Sequence, residues 1–110
     1  MYKVVRKSEA TVRQIADNKI ALNYITKDLS PEVSLAVIEA TDYYEKETTE
    51  SNRIYYVLEG ELGLNFGGKE VKLSAADSCF VAKGTEYVMR GTFKAVTVNQ
   101  PAFGTQSTTS

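Results

Sequence analysis

The sequence has no histidine and no tryptophan, one cysteine and two prolines. Each shortage removes something. Histidine is the commonest metal ligand and the usual general base near neutral pH. Without it, Ser-His-Asp and Cys-His mechanisms are excluded, as are most zinc and iron sites. A lone Cys79 cannot close an internal disulfide, so a cytoplasmic location is expected. No run approaches the roughly eighteen apolar residues of a membrane-spanning helix. The segment Met1-Tyr2-Lys3-Val4-Val5-Arg6-Lys7 lacks the apolar stretch of a signal peptide. Neither sign of charge dominates: 13 Lys+Arg stand against 14 Asp+Glu. Neither nucleic acid nor a membrane is therefore an expected partner.

What is present is the periodicity of strands. The 110 residues, 43% of them apolar, suffice for one core. Lys19–Thr26 and Ser34–Ala40 are β-rich runs, separated by a turn at Leu29-Ser30-Pro31-Glu32. Ile54–Leu58 is a continuous apolar run, which predicts a strand covered on both faces. Glu59-Gly60 is expected to break it. Leu62, Leu64 and Phe66 then alternate with period two. Gly67-Gly68 signals a hairpin, after which Val71 and Leu73 resume the alternation. Further strands are expected at Ser78–Ala82, Tyr87–Arg90 and Phe93–Val98. Six of the seven glycines lie between Gly60 and Gly91. Short strands and regularly recurring turns predict an all-β sandwich or barrel. Val12, Ile15 and Ala16 sit at helical spacing, so one short N-terminal helix is expected over Glu9–Ala16. A single domain is expected over 1–103, with a disordered polar tail over 104–110.

The stretch from Leu35 to Phe103 resembles the cupins, which are small double-stranded β-helix (jelly-roll) barrels. Tyr55-Tyr56-Val57-Leu58-Glu59-Gly60-Glu61-Leu62 is similar to the end of their first motif, G-x5-H-x-H-x3-4-E-x6-G. The run Ala76-Asp77-Ser78-Cys79-Phe80-Val81-Ala82-Lys83-Gly84-Thr85-Glu86-Tyr87 is similar to their second, G-x5-P-x-G-x2-H-x3-N. The resemblance implies a jelly-roll barrel, but it fails at every metal ligand. The glutamate slot holds Arg53. The two histidine slots fall at Glu47 and Thr49, or at Lys46 and Thr48 with the longer spacing. The third histidine slot holds Tyr87. An arginine puts fixed positive charge where a cation would sit, so no metal and no cofactor are expected.

Strand parity places Arg53, Tyr55 and Val57 on one face. In a cupin register that face lines the barrel interior, with Tyr87 and Met89 opposite. The acidic stretch Glu39, Asp42, Glu45, Glu47 and Glu50 is expected at the mouth. A buried arginine needs an anion. Arg53 either pairs with Glu45 or Glu47, or holds its guanidinium for a ligand carboxylate or phosphate. Inward-facing Tyr55 and Tyr87 offer a ring and a hydroxyl to a ligand, whereas Tyr56 points away. Glu45, Glu47 and Glu86 are the acid-base candidates. Cys79 is read as a small inward hydrophobe and Asn99-Gln100-Pro101 as a structural strand end. The expected ligand-binding set is thus Arg53, Tyr55, Tyr87, Glu45 and Glu47.

Three functions remain open on the sequence. The first is a metal-free cupin binding a small polar ligand, a sugar or organic acid, in its barrel. The second is a metal-independent isomerase, epimerase or lyase using tyrosine and glutamate. The third is a non-catalytic dimeric subunit. The β-branched segment Tyr2-Lys3-Val4-Val5 could add to a neighbour's sheet, and a homodimer is expected.

Overall fold

Among the described residues, alternating apolar side chains build seven strands. They are β1 (Thr11–Ala16), β2 (Lys19–Ile25), β3 (Ser34–Thr48), β4 (Asn52–Phe66), β5 (Lys69–Leu73), β6 (Ser78–Val81) and β7 (Glu86–Gln100). The computed structural model describes residues 1–105. All pairings are antiparallel, in the order β1-β2-β3-β7-β4-β5, with β6 also on β4. The final strand is therefore central, hydrogen-bonded to β3 on one side and β4 on the other.

β3, β4 and β7 each run 15 residues. Straight, each would span about 50 Å, more than the 41 Å longest dimension of the molecule. They bend instead, along one seam. The β3–β7 ladder shifts between Ala40 and Tyr43, and the β4–β7 ladder between Val57 and Glu59. Gly91 lies opposite both Tyr43 and Leu62. Gly60 (φ +78) and Gly91 (φ +125) are required there, because a Cβ on Gly60 would run into the Thr92 carbonyl and one on Gly91 into that of Glu61. Asp42 at φ 46 completes the corner, its N–H donating to Thr92 Oγ1 at 3.0 Å. The seam folds the sheet so that its two halves face each other as a jelly roll. Tyr55, Val57, Leu62 and Leu64 from β4 meet Tyr87, Met89, Phe93 and Ala95 from β7 between them. Burying each larger side chain contributes about 1.5–3 kcal/mol.

Several local expectations are corrected. Glu9–Ala16 is not a helix: a 3-10 turn, Lys7–Glu9, precedes strand β1. Glu9 is held in that turn by accepting from the Arg6 N–H, and pairing with β2 extends the residues after it. Ile54–Leu58 is covered on one face only, since Ile54, Tyr56 and Leu58 are exposed while Tyr55 and Val57 are buried. Glu59-Gly60 and Gly91-Thr92 do not end strands but bend continuous ones. Of the expected tail, Gly104 and Thr105 lie in a turn whose Thr105 N–H donates to Ala102 O. Residues 106–110 lie outside the described residues.

Candidate functional site

Between the two halves lies a cavity of about 620 Å³. Its floor is set by a buried hydrogen-bonded cluster around Arg53. Arg53 enters from β4 with its side chain 9% exposed. Nη1 donates to Glu47 Oε1 at 2.5 Å, to the Tyr87 hydroxyl at 2.9 Å and, more weakly, to that of Tyr55 at 3.4 Å. Nε donates to Asn99 Oδ1 at 2.7 Å, which also accepts from Ser51 Oγ at 2.8 Å. The Tyr87 hydroxyl donates to Glu47 Oε1 at 2.8 Å. Its one proton spent, it accepts from Tyr55, the two oxygens lying 2.5 Å apart. Phe66 stacks on the Tyr87 ring and fixes its plane.

The electrostatics follow from burial and these partners. Burial works against the Arg53 charge, but the Tyr55 and Tyr87 oxygens and Glu47 outweigh it and hold the guanidinium above its ordinary range. Burial pushes the phenols of Tyr55 and Tyr87 up, against the pull of Arg53. Both stay neutral donors at any physiological pH.

A second pair sits higher in the same cavity. Lys19 from β2 donates to Glu45 Oε1 at 3.1 Å and lies over the Tyr43 ring, whose hydroxyl reaches the same carboxylate oxygen at 2.7 Å. Burial alone would raise the Glu45 carboxyl; the Tyr43 hydrogen bond and Lys19 outweigh it and hold it below the usual range. Burial and Glu45 in turn raise the Tyr43 phenol.

The sequence-expected residues thus divide into two groups. Glu47, Arg53, Tyr55 and Tyr87 converge, and the internal partner of Arg53 is Glu47. Glu45 lines the cavity but belongs to Lys19. Of the other acidic residues, Asp42 sits at the corner, and Glu86 is exposed beside Lys46. Cys79 packs against the core, its thiol pushed up by burial, which disfavours the nucleophilic thiolate. Lys19, Ser51 and Asn99 were not expected at the site. Asn99 shares strand parity with Phe93, Ala95 and Thr97, all buried, and that parity was the signal for it.

The positions that the cupin resemblance assigns to metal ligands can be tested against this geometry. Glu47, Arg53 and Tyr87 do come together, but around the Arg53 Nη1 group rather than around space for a cation. Thr49 is turned away, donating to Ser51 O at 2.9 Å. Among the described residues no group of three or more His, Cys, Asp or Glu could hold a metal. These residues do not fit a metal ion.

No protein-family model and no curated protein matches the chain. Solved structures do. KdgF from Halomonas sp. superposes with a TM-score of 0.81 at 12% identity, covering 96% of this chain and 99% of that one. An RmlC-like cupin from Shewanella frigidimarina gives 0.80 at 17% identity, over 94% and 95% of the two chains. A predicted oxalate decarboxylase from Thermotoga maritima gives 0.76 at 23% identity, over 90% and 99%. These likenesses establish a shared fold.

Proposed function

The chain is a cupin-fold barrel, and from that premise we propose that its cavity binds a small polar ligand, a sugar or an organic acid, without a metal. The observation that carries the reading is the floor of the cavity. A disused metal position could close with apolar side chains at no electrostatic cost. Here it holds a buried guanidinium, two phenols and a carboxylate in one hydrogen-bonded cluster beside an open space of about 620 Å³. Buried polar clusters of this kind are costly to assemble unless every member is paired.

Binding is favoured over catalysis by the state of the same groups. An acid-base residue for an isomerase, epimerase or lyase needs a proton affinity near the working pH. The Tyr55 and Tyr87 phenols are held far too high to ionise, and the Glu45 carboxyl is held low. Glu47 Oε1 already accepts from two donors.

Native mass spectrometry of protein purified from its own host tests the reading. A co-purified small molecule, released on denaturation and absent from an Arg53→Met variant, is the expected result. Bare protein from the host, with no melting shift across a panel of sugars and organic acids, would overturn it. Elemental analysis after loading with Fe, Mn, Ni or Zn should find less than stoichiometric metal.

A further inference from the structure

The hydrogen-bond inventory of the cavity floor leaves two donors unspent. Arg53 commits Nη1 and Nε, but Nη2 has no hydrogen-bond partner among the described residues. Asn99 is 5% exposed. Its Oδ1 must face Arg53, since a guanidinium only donates. Its Nδ2 therefore points elsewhere, and it too has no partner among the described residues. Both side chains line the cavity. Buried N–H groups without acceptors are rare and costly in native proteins. Two that are anchored through the same Nε–Oδ1 bond form a fixed pair of donors.

Resting on the small-ligand reading above, we propose that this pair is a carboxylate subsite, and that the ligand is a monocarboxylic acid. A carboxylate presents two acceptor oxygens in a plane, which suits two donors carried by side chains that are bonded to each other. Charge sets the number of carboxylates at one. Lys19 with Glu45, and Arg53 with Glu47, neutralise each other in the cavity wall. The remaining charged lining residues are Arg13, Lys27 and Asp28, so the described lining carries one net positive charge. A monoanion balances it. A second carboxylate on the ligand would meet Glu45 and Glu47. The wall above the subsite includes Ala21, Ile38 and Met89, which suits an apolar body on the acid better than a fully hydroxylated one.

Calorimetric titration of the wild-type chain at neutral pH with benzoate, hexanoate, benzamide, succinate and glucose tests this. Benzoate or hexanoate should bind with one-to-one stoichiometry, at least tenfold tighter than benzamide, succinate or glucose. Asn99→Asp keeps the oxygen that Arg53 and Ser51 use and replaces the free donor with an anion. It should weaken benzoate at least tenfold, with thermal melting showing the variant folded. The benzoate–benzamide comparison needs no variant and stands if Asn99→Asp fails to fold. Binding of glucose or benzamide as tight as the carboxylates would overturn the carboxylate subsite while leaving a small-ligand barrel intact. Equal benzoate affinity in folded Asn99→Asp would do the same. If none of the five probes binds, the monocarboxylate assignment falls, and the host-purified protein decides the broader reading separately.

Discussion

Replacing Arg53 by methionine isolates the cluster on which the site rests. Methionine is close in length and apolar, so the cavity left behind is small. What is lost is the charge. Glu47 keeps its bond from the Tyr87 hydroxyl, and Asn99 keeps that from Ser51. The Glu47 carboxylate is nonetheless left without its cation. Breaking a fully buried ion pair costs about 3–5 kcal/mol. The Glu47 side chain is 24% exposed, so water can partly rehydrate it, which lowers the expected loss to about 2–3 kcal/mol. Glu47→Gln strands the other partner. The Arg53 side chain is only 9% exposed, and that loss should be the larger, about 3–5 kcal/mol. The double variant leaves no unpaired charge and should recover at least about 1 kcal/mol relative to the sum of the two singles. Urea unfolding followed by circular dichroism measures all three; with a slope of about 1–2 kcal/mol per molar, Arg53→Met should lower the midpoint by about 1–3 M. A loss under about 0.5 kcal/mol for Arg53→Met, or strict additivity in the double variant, would show the pair to be a wet surface contact and refute the reasoning.

The remaining predictions concern pH, backbone and assembly. Burial holds the phenols of Tyr43, Tyr55 and Tyr87 above their ordinary value, so the folded chain keeps protons that the unfolded chain releases. Their stabilisation is complete below about pH 10 and is lost as pH rises beyond it; ultraviolet titration should show these three of the seven tyrosines ionising only with unfolding, and early reversible ionisation of all seven would contradict this. Gly60→Ala drives a methyl group into the Thr92 carbonyl at a positive φ, whereas Gly67→Ala meets open space at φ +62. The first should cost more than about 3 kcal/mol and the second about 1 kcal/mol, with equal losses in urea melts counting against the seam. We propose a homodimer, with the exposed Tyr2 and Val4 contributing to the contact. Light scattering should then give twice the 12.2 kDa chain mass, and a concentration-independent monomer would reject it.

The outward-inward parity of Arg53, Tyr55, Val57, Tyr87 and Met89 was legible because a strand of period two leaves no other choice. The bends were not. Gly60 and Gly91 carry the same signal whether a chain turns back or folds over a corner, and only the partner strands distinguish the two. Helical spacing at Val12, Ile15 and Ala16 misled because three apolar residues on an edge strand cannot fix a period; Val12 in fact points to solvent. The continuous run Ile54–Leu58 was misread as doubly covered because an outer sheet face can carry isoleucine, tyrosine and leucine without burying them. That Arg53 had an anion was readable from its burial alone, but the choice of Glu47 over Glu45 was not. The two share parity on β3, and Lys19, which claims Glu45, lies 26 residues away along the chain.

The strand order has a consequence for synthesis. β7, made last, is the shared partner of β3 and β4. A nascent chain that has emerged only as far as Thr85 can pair β2 with β1 and β3, and separately β4 with β5 and β6. It can join these two pieces through no ladder at all. Until Glu86–Gln100 leaves the ribosome, β3 and β4 each present an open fifteen-residue edge, the geometry most prone to pairing with another chain. The interval between the emergence of β4 and that of Glu86–Gln100 is therefore the vulnerable part of synthesis, and a holdase that covers strand edges would act there.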